Sequence, residues 1–200
     1  MPYEYRKLTF QEREEIVRYR RERGYPLHAP PHPFREAGYY LITAANYEHV
    51  LVMDSVERRT VFEILLLDVM KGIQAETIAW VVLPNHYHIL VMVESLDVVS
   101  AALKLLHGKT SRQWNLEDNL TGKRRVWYKF SDRLMRSERQ LQQTFNYIHY
   151  KPLKHGYTED FYDWPWSSIN LYENSQGHDW LLKQWKFNPP PEELGRGCDD

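Results

Sequence analysis

Apolar and polar positions along the chain fall into two rhythms, short continuous apolar runs and longer runs with a helical repeat. The segments YYLITAA (39–45), TIAWVVL (77–83) and HILVMVE (88–94) are rich in β-branched and aromatic residues and predict strands. Pro84 and Asn85, between the last two, predict the turn that joins them. Helical runs lie between and around these strands. QEREEIVRYRRERG (11–24) follows the capping-box pair Thr9 and Glu12 and is stopped by Gly24 and Pro26. RRTVFEILLLDVMKG (58–72) follows a second pair at that spacing, Asp54 and Glu57, and ends at Gly72. LDVVSAALKLLHG (96–108) has Asp97 as its cap, and SERQLQQTFNYIHY (137–150) is closed by the Lys151–Pro152 step. The polar turn EDNLTGKRR leads into VWYKF (126–130), a short strand candidate.

The order strand, helix, strand, strand, helix, strand predicts an α+β fold with a ferredoxin-like antiparallel sheet and helices on one face. Residues 1–35 are expected to form an N-terminal helix and a proline-rich connector, 36–155 the core, and 156–200 a C-terminal extension packing on it. At 200 residues the chain suits one well-cored domain. No run of 18 apolar residues is present, so no transmembrane helix or membrane partner is expected. The polar, acidic start MPYEYRKLTFQEREE argues against a secretory signal, which makes the cytoplasm the expected location. A single cysteine, Cys198, excludes a disulfide framework and a cysteine-ligated zinc site. His28 and His32 sit in the proline-rich connector, where exposed histidines need no special role.

Charge changes the picture. The net charge of −1 conceals a segregation: residues 100–155 hold 12 Lys and Arg against 4 Asp and Glu, while 156–200 hold 3 against 9. Four acids cannot neutralise twelve bases, so a surface for a polyanion is the better account of this block. Lys104, Lys109, Arg112, Lys123, Arg124, Arg125, Lys129, Arg133, Arg136 and Arg139 are its candidate phosphate contacts. Trp114, Trp127 and Tyr128 lie among them as candidate stacking partners for unpaired bases.

The strand within VVLPNHYHILVMV (81–93) carries His86 and His88. On a strand, residues i and i+2 share a face about 6.6 Å apart, within reach of one cation for two imidazoles. A hydrogen-bonded pair of core histidines fits the same pattern, and the spacing alone leaves both open. Position 90 is Leu, which excludes a third histidine in the series. Farther on, Leu141, Phe145 and Ile148 form an apolar stripe at i, i+4 and i+7. At about 100° per residue, Tyr147 falls off that stripe beside Gln143 and Lys151, on a polar face open to a substrate, and Tyr150 is its competitor.

Taken together, LPNHYHILV (83–91), FNYIHYKPLKHGY (145–157) and DWPWSS (163–168) closely resemble the tyrosine transposases associated with repetitive extragenic palindromes. These are single-tyrosine enzymes of the HUH superfamily, related to the transposases of small single-strand-mobilised insertion sequences. The resemblance runs from about residue 36 to 180. It implies a nuclease and strand transferase acting on single-stranded or hairpin DNA. Tyr147 is then the nucleophile, forming a 5′-phosphotyrosine, and His86 and His88 hold a divalent metal, Mg²⁺ or Mn²⁺. No small-molecule cofactor is implied, and a homodimer is left open. DWPWSS reads as packing against the sheet. The family motif commonly runs YIH-x-N-P-V-K-H-G, and this chain has Lys151 in place of its asparagine. An ammonium has no lone pair for a metal. Three readings follow: Lys151 contacts the scissile phosphate or favours the ionised phenol, another oxygen such as that of Gln143 completes the metal shell, or the protein binds hairpin DNA with weakened or lost catalysis.

Overall fold

The computed structural model describes residues 9–12, 14, 15, 18 and 37–190. Gly24, Pro26, His28, His32 and Cys198 lie outside them. At the N-terminus, the Thr9 amide donates to Glu12 Oε2 (2.6 Å) and the Glu12 amide to Thr9 Oγ1 (3.3 Å), the reciprocal capping box expected of that spacing. The remaining described residues belong to a separate compact unit, Glu36–Leu194.

That unit is built on four strands, β1 (Gly38–Ala45), β2 (Glu76–Val82), β3 (His86–Val93) and β4 (Ser131–Leu134). Their order across the sheet is β2-β3-β1-β4, every pairing antiparallel. Helix α1 (Val56–Gly72) crosses from β1 to β2 and α2 (Leu96–Glu117) from β3 to β4, which is the predicted ferredoxin-like arrangement. Both helices cover the face onto which Tyr87 points. There Phe62 of α1 meets the rings of Tyr87 and Trp127 at 5.2 Å each and that of Trp114 at 6.0 Å. Helix α3 (Glu138–Lys154) lies on the opposite face, against β2 and β3. Helices therefore cover both faces rather than one, and the second face is the one that carries the histidines.

Several boundaries move from their predicted places. Ser55, not Asp54, caps α1 by accepting from the Arg58 amide at 3.2 Å. Helix α2 runs through Gly108 to Glu117 because Gly108 sits on its exposed side, where nothing interrupts the backbone ladder. Helix α3 likewise continues through Pro152 to Lys154; the proline falls within the last two turns, so few backbone bonds remain to be lost. The fourth strand is Ser131–Leu134 rather than VWYKF. Trp127 makes only a bridge to Asn46, one residue out of register with β4, because Val126 and Trp127 turn into the core.

The C-terminal extension holds α4 (Ile169–Gln176) and α5 (His178–Phe187), which pack on α3 through Phe145, Tyr172 and Trp180. The DWPWSS segment packs against the sheet along its edge. Val82 donates to the Trp166 carbonyl (2.9 Å), Ser168 to that of Trp80 (3.1 Å), and Val81 bridges Ser167. The buried Arg59 guanidinium lies 4.1 Å from the Trp166 ring and pins the segment to α1.

Candidate active site and nucleic-acid surface

The His86 and His88 side chains share one face of β3, both buried, with ring centres 5.1 Å apart. Each ring is oriented through Nδ1. Thr43, the β1 residue paired with His88, places Oγ1 2.7 Å from His88 Nδ1. Asn85 Oδ1 lies 2.6 Å from His86 Nδ1, and Asn85 Nδ2 donates to the His49 carbonyl at 3.2 Å. The carbonyl fixes which end of the amide is nitrogen, so Oδ1 accepts from His86 Nδ1–H and the lone pair of His86 resides on Nε2. Burial, reinforced by the charges of Lys151, His155 and Lys154, holds the His88 pKa well below the usual imidazole range. Both rings are thus suited to bind a cation through nitrogen.

Helix α3 brings Tyr147 to this pair, its ring 5.4 Å from that of His88. Tyr147 is 3 % exposed, which corrects the expectation of a tyrosine on an open polar face. The reason is that α3 is covered on two sides. Phe145 and His149 meet Tyr172 and, for His149, Ser168, while the stripe carrying Tyr147 and Lys151 turns inward toward β3. Tyr150, the competing nucleophile, is 38 % exposed and lies near Trp185, not the histidines. Lys151 is fully buried, with Nζ 4.7 Å from the centre of the Tyr147 ring and 3.4 Å from His155 Nε2.

His155 is a member of the constellation that sequence reasoning passed over. Its ring centre is 5.0 Å from that of His86. Tyr147, Lys151 and His155 are spaced at i, i+4 and i+8, so a helical wheel extended past Pro152 would have found it. Among the described residues, no group of three or more His, Cys, Asp or Glu is arranged to hold a metal ion. The imidazoles gathered here are those of His86, His88 and His155, with the Lys151 side chain beside them.

The basic block separates into two surfaces and one structural residue. Lys104, Lys109 and Arg112 are exposed on the outer side of α2, along a groove of about 730 Å³ that also exposes Leu105 and Leu116. The sheet lies between them and the histidines. Lys123, Arg125, Lys129, Arg133, Arg136 and Arg139 are exposed on and around β4. The register pairs Leu41 with both Leu90 and Arg133, so Arg133 shares the histidine-bearing face. Arg124 is instead committed to Asp118 (2.8 Å) and Asn115 (2.8 Å), and Arg58 binds the same Asp118. Trp114 and Trp127 are core residues, 2 % and 6 % exposed, which removes them as stacking partners; Tyr128 is half-buried.

No family model matches the chain. It is 32 % identical over 124 residues to a protein of Haemophilus influenzae assigned as a REP-associated tyrosine transposase, an alignment covering 57 % of this chain and 68 % of that relative. A solved structure described as a REP-associated tyrosine transposase bound to a REP hairpin superposes with a TM-score of 0.59 at 19 % identity, covering 76 % of this chain and 88 % of the other. That likeness speaks for the fold, and the identity to the Haemophilus protein speaks for descent. The chain belongs to the family of REP-associated tyrosine transposases.

Proposed function

We propose that this protein cleaves and rejoins single-stranded DNA next to a palindromic hairpin, through a covalent bond between Tyr147 and a 5′-phosphate. The observation that carries the proposal is the contact of the Tyr147 ring with His88, 5.4 Å between centres, on a face shared with His86 and Arg133. The solved structure similar in fold is described as bound to a REP hairpin, which supports hairpin DNA as the partner.

The chemistry follows from the groups present. The Tyr147 phenolic oxygen attacks phosphorus and loses its proton. The bond from phosphorus to the 3′-oxygen breaks, and that oxygen leaves as a hydroxyl. The new phosphotyrosine keeps the energy of the phosphodiester, so attack by another 3′-hydroxyl reseals DNA without ATP and restores the tyrosine. His86 and His88 fit the two-imidazole half of a divalent metal site, Mg²⁺ or Mn²⁺, by virtue of the Asn85-fixed tautomer and the buried, neutral His88. When bound there, the ion would polarise the scissile phosphate and offset its developing charge. Nitrogen donors favour Mn²⁺ over Mg²⁺. Lys151 places its Nζ beside the nucleophile, a donor suited to a phosphate oxygen. Arg133 and its exposed neighbours around β4 carry the strand across the sheet, and Lys104, Lys109 and Arg112 offer a second surface to the hairpin.

A second reading, hairpin binding with little or no turnover, is favoured by one observation: the ammonium of Lys151 is buried where the family carries an oxygen donor. One experiment separates the two. A labelled hairpin with a single-stranded flank is incubated with Mn²⁺, and covalent protein–DNA adducts are read on a denaturing gel. Adduct formation that disappears in Tyr147→Phe and on chelation supports the enzyme. Tight binding with no adduct in the presence of Mn²⁺ or Mg²⁺, each supplied in turn, supports the binding protein.

A further inference from the structure

Beside the histidine pair, at the end of β1, lies a group of aromatic rings that the catalytic reading does not use. The Tyr47 and Tyr128 rings meet at 4.9 Å, and His49 lies 6.1 Å from Tyr128. The Arg125 guanidinium stands 5.0 Å from the Tyr47 ring centre and 5.7 Å from that of Tyr128. Its position is set by a bond from Nε to the Trp127 carbonyl at 3.0 Å. The two tyrosines are clamped by the backbone, Tyr47 N to the Val126 carbonyl (2.7 Å) and Tyr128 N to the Ala45 carbonyl (2.9 Å). Both are half-buried and Arg125 is exposed, so the cluster is a surface held in place rather than a piece of core.

Three features give this surface a direction. Ala45 pairs with His86, so Tyr128 is separated from His86 by two strand spacings, about 10 Å. Asn85 joins the two places physically, binding the His49 carbonyl with one end of its amide and His86 Nδ1 with the other. The turn between them holds Glu48 (φ 56°) and His49 (φ 54°) in the left-handed region. Non-glycine residues rarely adopt that region, and such conformations gather at sites where they position something.

We propose that Tyr47, Tyr128 and Arg125 form a subsite for one unpaired base of the DNA strand that flanks the scissile phosphate. The proposal rests on the single-stranded DNA reading above and deepens it. Aromatic faces and a guanidinium plane are the groups on which unpaired bases stack. The neighbouring exposed cations, Lys123 and Lys129, meet the phosphates on either side of such a base. A base seated here presses on the turn that orients Asn85, so the same contact that selects the strand sets the ring of His86.

The test uses the full chain and hairpin oligonucleotides with a single-stranded tail, in a series where each tail base in turn is replaced by an abasic residue. Affinity is read by fluorescence anisotropy at fixed salt. One tail position is expected at which the abasic substitution weakens binding about 10-fold, the scale of one stacked base. The double variant Tyr47→Ala, Tyr128→Ala should show the same loss on the intact tail and no further loss at that abasic position. Tyr128→Phe should restore stacking, and Arg125→Ala, at an exposed position, reads the same coupling where folding is not at issue. Losses that stay additive at every tail position, or that fall equally on a blunt hairpin without a tail, overturn the subsite. Failure of the unmodified protein to bind tailed and blunt hairpins alike overturns the transposase reading, and the subsite with it.

Discussion

The Lys151 ammonium stands 4.7 Å from the centre of the Tyr147 ring and 3.4 Å from His155 Nε2, fully buried on the inward stripe of α3. A cation placed there competes with any metal ion for the same neighbourhood. Lys151→Asn, which restores the oxygen common in the family, is therefore expected to raise the Mn²⁺ affinity of the DNA-free protein about 10-fold, within the range by which residues around a metal site alter affinity. Titration calorimetry checks this. Unchanged affinity would show that the lysine does not limit the site.

Asn85 ties His86 to the His49 carbonyl. Asn85→Ala removes the acceptor that fixes the His86 tautomer, and metal affinity is expected to fall about 10- to 100-fold. The Tyr147 adduct should slow in parallel, while binding of a blunt hairpin stays within twofold. Loss of hairpin binding to the same extent would assign Asn85 a folding role instead.

A buried histidine, His149, and a half-buried one, His107, both outside the site, make stability depend on pH. Burial lowers His149 to about 3 and His107 to about 4, from 6.5. Both pKa values are depressed in the folded state, so the unfolded chain binds more protons below 6.5. Their contribution is full above that pH and lost as pH falls toward 3–4. At pH 5 each group is expected to cost about 2 kcal/mol relative to pH 7.5. Urea unfolding at the two pH values measures the sum. His107→Gln should flatten the dependence by its own share, and His88, shifted in the same direction, adds to it.

The basic residues divide by what holds them. Arg133 is exposed on the histidine face, whereas Arg124 binds Asp118 and Asn115. Arg133→Gln should reduce the slope of log affinity against log salt for a single-stranded tail by about 0.7. Arg124→Gln should leave the slope unchanged and destabilise the fold by about 1–3 kcal/mol, the cost of losing hydrogen bonds to a charged group. Equal slopes for the two variants would contradict this division.

Much of the fold could be read from the chain because its strands are near-continuous apolar runs with turn residues between them. The sheet needed only the order of elements and the Pro84–Asn85 turn. What the wheel of α3 misjudged was the meaning of a polar stripe. Leu141, Phe145 and Ile148 marked one buried face, and the stripe with Tyr147 and Lys151 therefore looked like the solvent side. That stripe is polar because it closes on the histidines, and periodicity cannot tell a wetted face from a functional one. His155 was missed for a related reason, since the expected helix end at Pro152 cut it from the stripe. The segment VWYKF read as a strand because its composition suits one, but Val126 and Trp127 turn inward and the pairing resumes at Ser131.

The DWPWSS segment has a consequence for association between copies. By bonding to Trp80 and Val82 through Ser168 and Trp166, it covers the C-terminal half of the β2 margin of the sheet. A row of open backbone groups on a strand margin invites another chain to add to it. Along that half of β2 the invitation is withdrawn. The opposite margin is β4, only four residues long and bearing Asp132 and Arg133. A strand added at that margin would lie beside Arg133, one of the cations proposed to guide the DNA strand, so growth of the sheet and capture of a substrate would meet at one rim.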